Sequence, residues 1–255
     1  MNWKKKEKNN KMSLKVSLIV TTYNCKENFQ KTMESIAEQD YDNIEIVIKD
    51  GMSDDGTLDL ILQYEKKYKY PIKWKSAKDT GIYDAINQGY AMATGDIIGI
   101  LNDRFTCKDA VSQFVKAIEE NNSDGVHADL VYMQDDKVKR HWHMGQGKLT
   151  TGWMPGHPTL YLKREVYEKY GLYNTSYKCS ADYEFMIRIL KNEEIKLAYI
   201  PKVLISMYCG GTSTGSIGSY WVSIKESHDA LRKNDIKWAW WIILLRIARV
   251  AMQFL

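Results

Sequence analysis

The apolar positions of this chain change period several times, and the first block is β-branched. Lys15 to Thr22, KVSLIVTT, predicts a strand buried on both faces. Phe29, Met33, Ile36 and Ala37 then recur at helical spacing between Lys26 and Gln39, and Tyr41-Asp42-Asn43 punctuates the end. A second strand, Ile44 to Lys49, stops at Asp50-Gly51. Asp54-Asp55-Gly56-Thr57 predicts a turn that caps a helix through Leu58, Leu62 and Tyr64. A short strand over Ile72 to Lys75, a helix over Ile82 to Ala93 and a strand over Ile97 to Leu101 follow, the last ending at Asn102-Asp103. This alternation predicts a mainly parallel sheet with right-handed crossovers.

Beyond Cys107 the pattern becomes mixed. A helix is expected from Asp109 to Glu120, with strands near Val126 to Met133 and Val138 to Trp142. A glycine-rich loop, Gly145 to Gly156, leads to a strand over Thr159 to Lys163 and helices over Glu165 to Tyr170 and Ala181 to Lys191. No internal repeat or linker separates the halves, so a shared core is expected. The end of the chain, IKWAWWIILLRIARVAMQFL over Ile236 to Leu255, is intensely apolar, but Arg246 and Arg249 interrupt it well short of the ~18 residues of a membrane span. On a helix Arg246, Arg249 and Gln253 form a narrow polar stripe beside Trp238, Trp241, Leu244, Leu245 and Ile247. Two readings stay open: peripheral contact with a membrane surface, or docking against the domain or a second subunit in a homo-oligomer.

Composition narrows the class. A chain of 255 residues suits one large domain. A net charge of +4, spread along the chain, gives no footprint for nucleic acid. The densest basic run, Lys4-Lys5-Lys6 with Lys8 and Lys11, lies in a polar leader over 1–12 that reads as disordered, either a solvated tail or a weak contact with anionic lipid. Cys25, Cys107, Cys179 and Cys209 show no CxxC spacing, which argues against a zinc site or a disulfide framework. With no secretory signal in the leader, a reducing cytoplasm is the expected compartment.

In an open parallel sheet, ligands gather at the carboxyl ends of the strands. Three polar ends converge there: Thr21-Thr22-Tyr23-Asn24, Asp50-Gly51-Met52-Ser53-Asp54 and Asn102-Asp103. Taken singly, each is also an ordinary turn.

Read together, VSLIVTTYN, IVIKDGMSDDGT, KDTGIYDAINQGYAMATGDIIGILND and SADYEF resemble a family 2 glycosyltransferase of the bacterial polysaccharide-synthesis type, over roughly Lys15 to Met207. The resemblance implies an α/β fold of GT-A type: a Rossmann-like, mainly parallel sheet with helices on both faces, a mixed α+β acceptor-side half and C-terminal helices. The implied organisation is a catalytic domain over 13–235, with a nucleotide-binding half over 13–105 and an acceptor-side half over 106–235, followed by an amphipathic helix over 236–255. It implies transfer of a sugar, with inversion, from a nucleotide-diphosphate donor, UDP-linked by default, to a saccharide hydroxyl. If the terminal helix lies on a membrane, that acceptor is lipid-linked.

Residue by residue, the resemblance implies that Thr21, Tyr23 and Asn24 line the pocket for base and ribose. Asp50 accepts a hydrogen bond from the base, and Ser53 and Asp54 support that pocket. Asp79, Asp84 and Asn87 hold the nucleotide and donor sugar, and Asp103, beside Asn102, binds a divalent metal, Mn or Mg. Such a cation neutralises a departing diphosphate without proton transfer, and one or two protein carboxylates suffice to hold it. Many relatives carry Asp-x-Asp, whereas this chain reads Asn102-Asp103-Arg104-Phe105, so Arg104 either adds positive charge to the diphosphate or is an exposed turn residue.

Asp182 in SADYEF matches the family's catalytic base, although alone it also suits a helix N-terminus. Glu184, two residues along, is expected to point elsewhere. Trp153 and His157, in GWMPGHP, are candidate acceptor contacts, by stacking on a sugar and by hydrogen bonding, or else a buried Trp and a structural His. Gly210 to Gly215 reads as a mobile lid without phosphate-loop spacing. A nucleotidyltransferase is disfavoured because Thr21 to Cys25 lacks a glycine-rich basic loop. A catalytically weak sugar-nucleotide sensor or membrane scaffold remains the alternative.

Overall fold

A computed structural model describes residues 13–134, 137–208 and 217–254. The basic leader, Cys209 and the glycine-rich segment Gly210 to Gly215 lie outside the described residues.

The expected alternation is present. β1 (Val16–Thr22), β2 (Ile44–Asp50), β3 (Ile72–Ser76) and β4 (Ile97–Ile100) pair in parallel in the order β3-β2-β1-β4. Between them run α1 (Lys26–Ala37), α2 (Thr57–Lys67) and α3 (Ile82–Met92). Side chains of a strand alternate between faces. Leu18 and Val20 therefore enter one buried cluster with Phe29, Met33 and Phe114, while Ile19 between them enters a second with Ile86 and Phe185. Each cluster takes residues from both halves of the chain, so the halves share their cores.

The second half continues the sheet with β5 (Arg104–Phe105), α4 (Ala110–Asn121), β6 (Gly125–Gln134), β7 (Lys137–Trp142), β8 (Tyr161–Lys163), α5 (Arg164–Tyr170) and α6 (Ala181–Leu190). β8 joins β4 and β6 antiparallel, close enough to β4 that a Cβ on Gly99 would sit 2.0 Å from the Tyr161 ring. The strand expected from Thr159 begins later, because His157–Thr159 forms a 3-10 turn whose Pro158 has no N–H to offer a ladder.

Two long elements were not legible in the sequence. β9 (Leu197–Tyr208) runs parallel to β6 and contains Pro201, a residue that argues against an interior strand position. The register steps from Ile200↔Ala128 to Val203↔Asp129, so Pro201 and Lys202 bulge out of the ladder. α7 (Ile217–Lys233) packs on α6, and the terminal helix is shorter than expected, α8 (Ala239–Ala251). Ala239, Ile242 and Ile243 of α8 are buried in the second cluster.

Candidate functional site

The carboxyl ends of β1, β2 and β4 do meet, but they meet by binding one another. Asn102 accepts from the Thr21 N–H at 2.8 Å through Oδ1 and donates to Thr21 Oγ1 at 2.8 Å through Nδ2, clamping two strand ends together. Asp50 is completely buried. Its carboxylate accepts from Thr22 Oγ1, Ser53 Oγ, Ser76 Oγ and the N–H groups of Met52 and Ser53. Burial would push this carboxyl up, but Ser53, Ser76 and Thr22 outweigh it and hold it below the usual range.

Five donors on a carboxylate with about four lone-pair positions leave none for a ligand. As placed, the Asp50 carboxylate is filled by its own loop and organises the segment that follows β2. Asn24, at φ 45°, accepts from the Asp54 N–H and is itself held by Ser53 Oγ, so these three residues brace the two loops. Tyr23 and Asp54 are exposed at the rim.

The motif around α3 is also largely occupied. Asp79 pairs with the fully buried Lys49 at 2.9 Å and accepts from the Gly81 N–H. Asp84 accepts from the Thr80 N–H and from Gln88. Asn87 binds both backbone groups of Tyr173, donating to its carbonyl at 2.8 Å and accepting from its N–H at 3.1 Å. That reciprocal pair makes Asn87 a bracket between α3 and the loop before α6. Of the two readings left open for Trp153, its burial matches the buried Trp: it is 6% exposed and donates through Nε1 to the Met144 carbonyl at 2.9 Å.

The cleft lies beside these loops, between the end of β4, the start of α3, the start of α6 and the end of β9. It encloses about 350 Å³, and Asn102, Asp103, Arg104, His157 and Asp182 line it. Residues that motif reading did not single out join them, chiefly Tyr83, Lys178, Cys179 and Tyr208. Tyr83 sits inside the quoted GIYD stretch, next to Asp84, and that was its one available signal. Tyr208 ends the strand the sequence concealed, so nothing local marked it. Asn28 and Tyr208 also border an adjoining shallow groove with Asn24, Lys26 and Lys31.

Within the cleft the acids are lightly engaged. Asp103 accepts a long hydrogen bond, 3.4 Å, from the Tyr208 N–H. Burial pushes its carboxyl up to about 6, against the pull of that N–H and of Arg104. Asp182 accepts from the Tyr83 hydroxyl at 3.0 Å across 99 residues of sequence. Burial and then the Asp182 charge push the Tyr83 phenol far above its ordinary value, so it stays a donor. Glu184 faces away, paired with Arg188 at 2.8 Å. His157 Nε2 meets the Tyr173 hydroxyl at 2.8 Å, and burial lowers its basicity more than the Asp182 charge raises it.

Among the described residues no three His, Cys, Asp or Glu side chains cluster as a metal site. The donor set still fits a hard cation held mainly by phosphate and water, because Asp103 presents one carboxylate at the cleft and such ions need few protein ligands.

A family model described as Glycosyl transferase family 2 matches residues 17–184. An uncharacterized glycosyltransferase of Mycobacterium tuberculosis is 30% identical over 230 residues, covering 87% of this chain and 83% of the relative. A PGL/p-HBAD biosynthesis glycosyltransferase of Mycobacterium bovis is 28% identical over 193 residues, covering 74% and 75%. Among solved structures, S. aureus TarS 1-349 in complex with UDP-GlcNAc superposes with a TM-score of 0.72 at 18% identity, covering 92% of this chain and 72% of that one. The mannosyltransferase PcManGT of Pyrobaculum calidifontis, in complex with GDP-Man and Mn2+, gives 0.64 at 17% identity, covering 95% and 75%. At such identities the structural likeness speaks for the GT-A fold.

Proposed function

The chain belongs to glycosyl transferase family 2, and we propose that it is an inverting enzyme moving a sugar from a nucleotide-diphosphate donor to a saccharide hydroxyl, in cytoplasmic assembly of a cell-surface glycan. The observation that carries this reading is that Asp103 and Asp182, distant in sequence, line one cleft while most of the neighbouring acids are bound up within the protein.

In this reading Asp182 accepts the acceptor's hydroxyl proton as that oxygen attacks the anomeric carbon. The bond from that carbon to the diphosphate oxygen breaks on the opposite face, and the configuration inverts. Tyr83, donating to Oδ1, holds the carboxylate, and Oδ2 is left to take the acceptor's proton. Asp103 would hold a magnesium or manganese ion, whose charge offsets that of the leaving diphosphate. Arg104 and Lys178, on the cleft wall, add positive charge for the same phosphates. Thr21, Tyr23, Asn24, Ser53 and Asp54 shape the loops on the donor side, and His157, neutral in its buried setting, offers a hydrogen bond on the acceptor side.

The donors named with structurally similar proteins, UDP-GlcNAc and GDP-Man, define a first panel. The chain incubated with each sugar nucleotide, manganese and mixed saccharide acceptors is expected to release nucleoside diphosphate from one donor, faster with acceptor than without. Tight binding of a donor with no turnover under any acceptor would favour the sensor reading, which the missing second carboxylate supports. Failure to bind any sugar nucleotide would sink both.

A further inference from the structure

The terminal helix is apolar on two sides: Ala239, Ile242 and Ile243 are buried in the second cluster, and a polar stripe separates them from an exposed apolar face. Its polar stripe faces the protein: Arg246 donates to Ser227 Oγ at 2.9 Å with its guanidinium 4.2 Å from the Tyr183 ring centre, and Arg249 donates to the Thr151 carbonyl at 3.0 Å. Its outer face carries Trp240, Trp241, Leu244 and Ile247, all exposed. Trp238, just before the helix, is 81% exposed and sits at φ 62°, a conformation unfavourable for a bulky residue. The face continues onto α7, where Trp221 lies two turns before His228, and His228 stacks on Trp240 at 4.1 Å.

A contiguous face of large apolar side chains in water marks a surface for an occupant. The charge around it identifies one. Residues 217–255 carry six Lys and Arg against three Asp and Glu, most of the chain's net positive charge, and Lys225, Arg232 and Lys237 are exposed. Tryptophans at headgroup depth with basic residues around them match an anionic bilayer surface, to which Lys and Arg are drawn. At 13 residues α8 is ~20 Å long, too short for the ~30 Å hydrocarbon core, and no described helix is long and apolar enough to cross a membrane.

We infer that the outer face of α7 and α8 seats the protein on an anionic lipid surface. The inner side of the same helix pair reaches the cleft, since Glu226 of α7 accepts from the backbone N–H groups of Lys178 and Cys179, both cleft-lining residues. If the proposed transferase reading holds, an acceptor carrying a lipid tail meets the cleft from the side that rests on the bilayer.

Co-sedimentation of the full chain with phosphatidylglycerol–phosphatidylcholine vesicles and with phosphatidylcholine vesicles tests this. Binding to the anionic vesicles is expected, and W241S/L244S/I247S should lower the bound fraction at least tenfold while remaining a folded monomer by circular dichroism and gel filtration. Should that variant misfold, K225E/K237E is expected to weaken binding severalfold with the helix packing untouched. Wild-type protein that stays in the supernatant overturns the inference, as does a dimer that W241S/L244S/I247S disrupts while vesicles leave it intact. Sugar-nucleotide turnover measured without vesicles reads the transferase proposal separately.

Discussion

Asp50, at the end of β2, and Asp182, at the start of α6, are carboxylates of one motif set, yet their surroundings are opposite. The β1–β3 edge gives Asp50 five donors and pairs Asp79 with a buried Lys49, so its acids hold loops in place. On the cleft side, Asp182 accepts one hydrogen bond and Asp103 one long one among the described residues, which leaves lone pairs for a substrate or an ion. A buried acid is available for chemistry only where its own protein has not satisfied it. The difference separates a frame from a reactive wall within a single sheet edge.

The contrast breaks first if the cleft acids prove dispensable. Asp182→Asn keeps the shape and removes the base, and should lower kcat at least ~10³-fold with donor affinity nearly unchanged. Wild-type transfer by this variant would remove Asp182 from the mechanism. Asp103→Asn should follow with ~10²–10³-fold lower kcat/KM and lost stimulation by manganese, since the ion has no other acid among those assigned to it. Calorimetric titration of donor with and without manganese checks it: equal enhancement of binding in variant and wild type would free Asp103 of that role.

The frame should fail differently, by unfolding. Asp50→Asn turns amide hydrogens toward groups that already donate, and is expected to cost about 3 kcal/mol, or ~6–12 °C in Tm. An unchanged Tm with lost donor binding would reverse the assignment and return Asp50 to ligand recognition. Glu45, buried in β2, belongs to the same frame: it binds Ser17, Thr94, Lys15 and Lys73. Burial would push its carboxyl up, but these partners prevail and hold it well below the usual range. A depressed folded value means stability that is present above the unfolded value near ~4.3 and lost as pH falls below it. Glu45→Gln should therefore be about 2 kcal/mol less stable at pH 7, a gap that narrows in acid. A constant gap from pH 7 to pH 3 would contradict that linkage.

Legibility followed the same division. The β1–β4 half was readable because β-branched runs and helical spacing alternate without interruption, and the motifs fall at strand ends. Pro201 concealed β9, since a proline argues against a strand until the partner shows where a bulge absorbs it. Hydrogen bonding was beyond reach as well. Asn87 has the residue type of a ligand contact, and only the fold brings Tyr173 to both of its amide atoms. Trp153 leaves a stacking and a buried reading open in the sequence, and only the fold brings the Met144 carbonyl to its Nε1. Asp103 and Asp182 were legible as motif members, but their sharing one cleft was not.

Tyr83 tests the finest point of the contrast, because it is the one protein donor on the proposed base, Asp182, among the described residues. If it positions Asp182, Tyr83→Phe keeps the ring stacked on Tyr173 at 5.9 Å and removes only the 3.0 Å hydrogen bond. The carboxylate then samples rotamers away from the acceptor, and kcat should fall about tenfold, the equivalent of ~1.4 kcal/mol, with donor KM unchanged. A merely structural tyrosine would instead lower Tm and leave kcat of the folded fraction intact. Because only the hydroxyl is replaced by hydrogen while the ring stays in place, Tm and kcat of the folded fraction read the two roles separately.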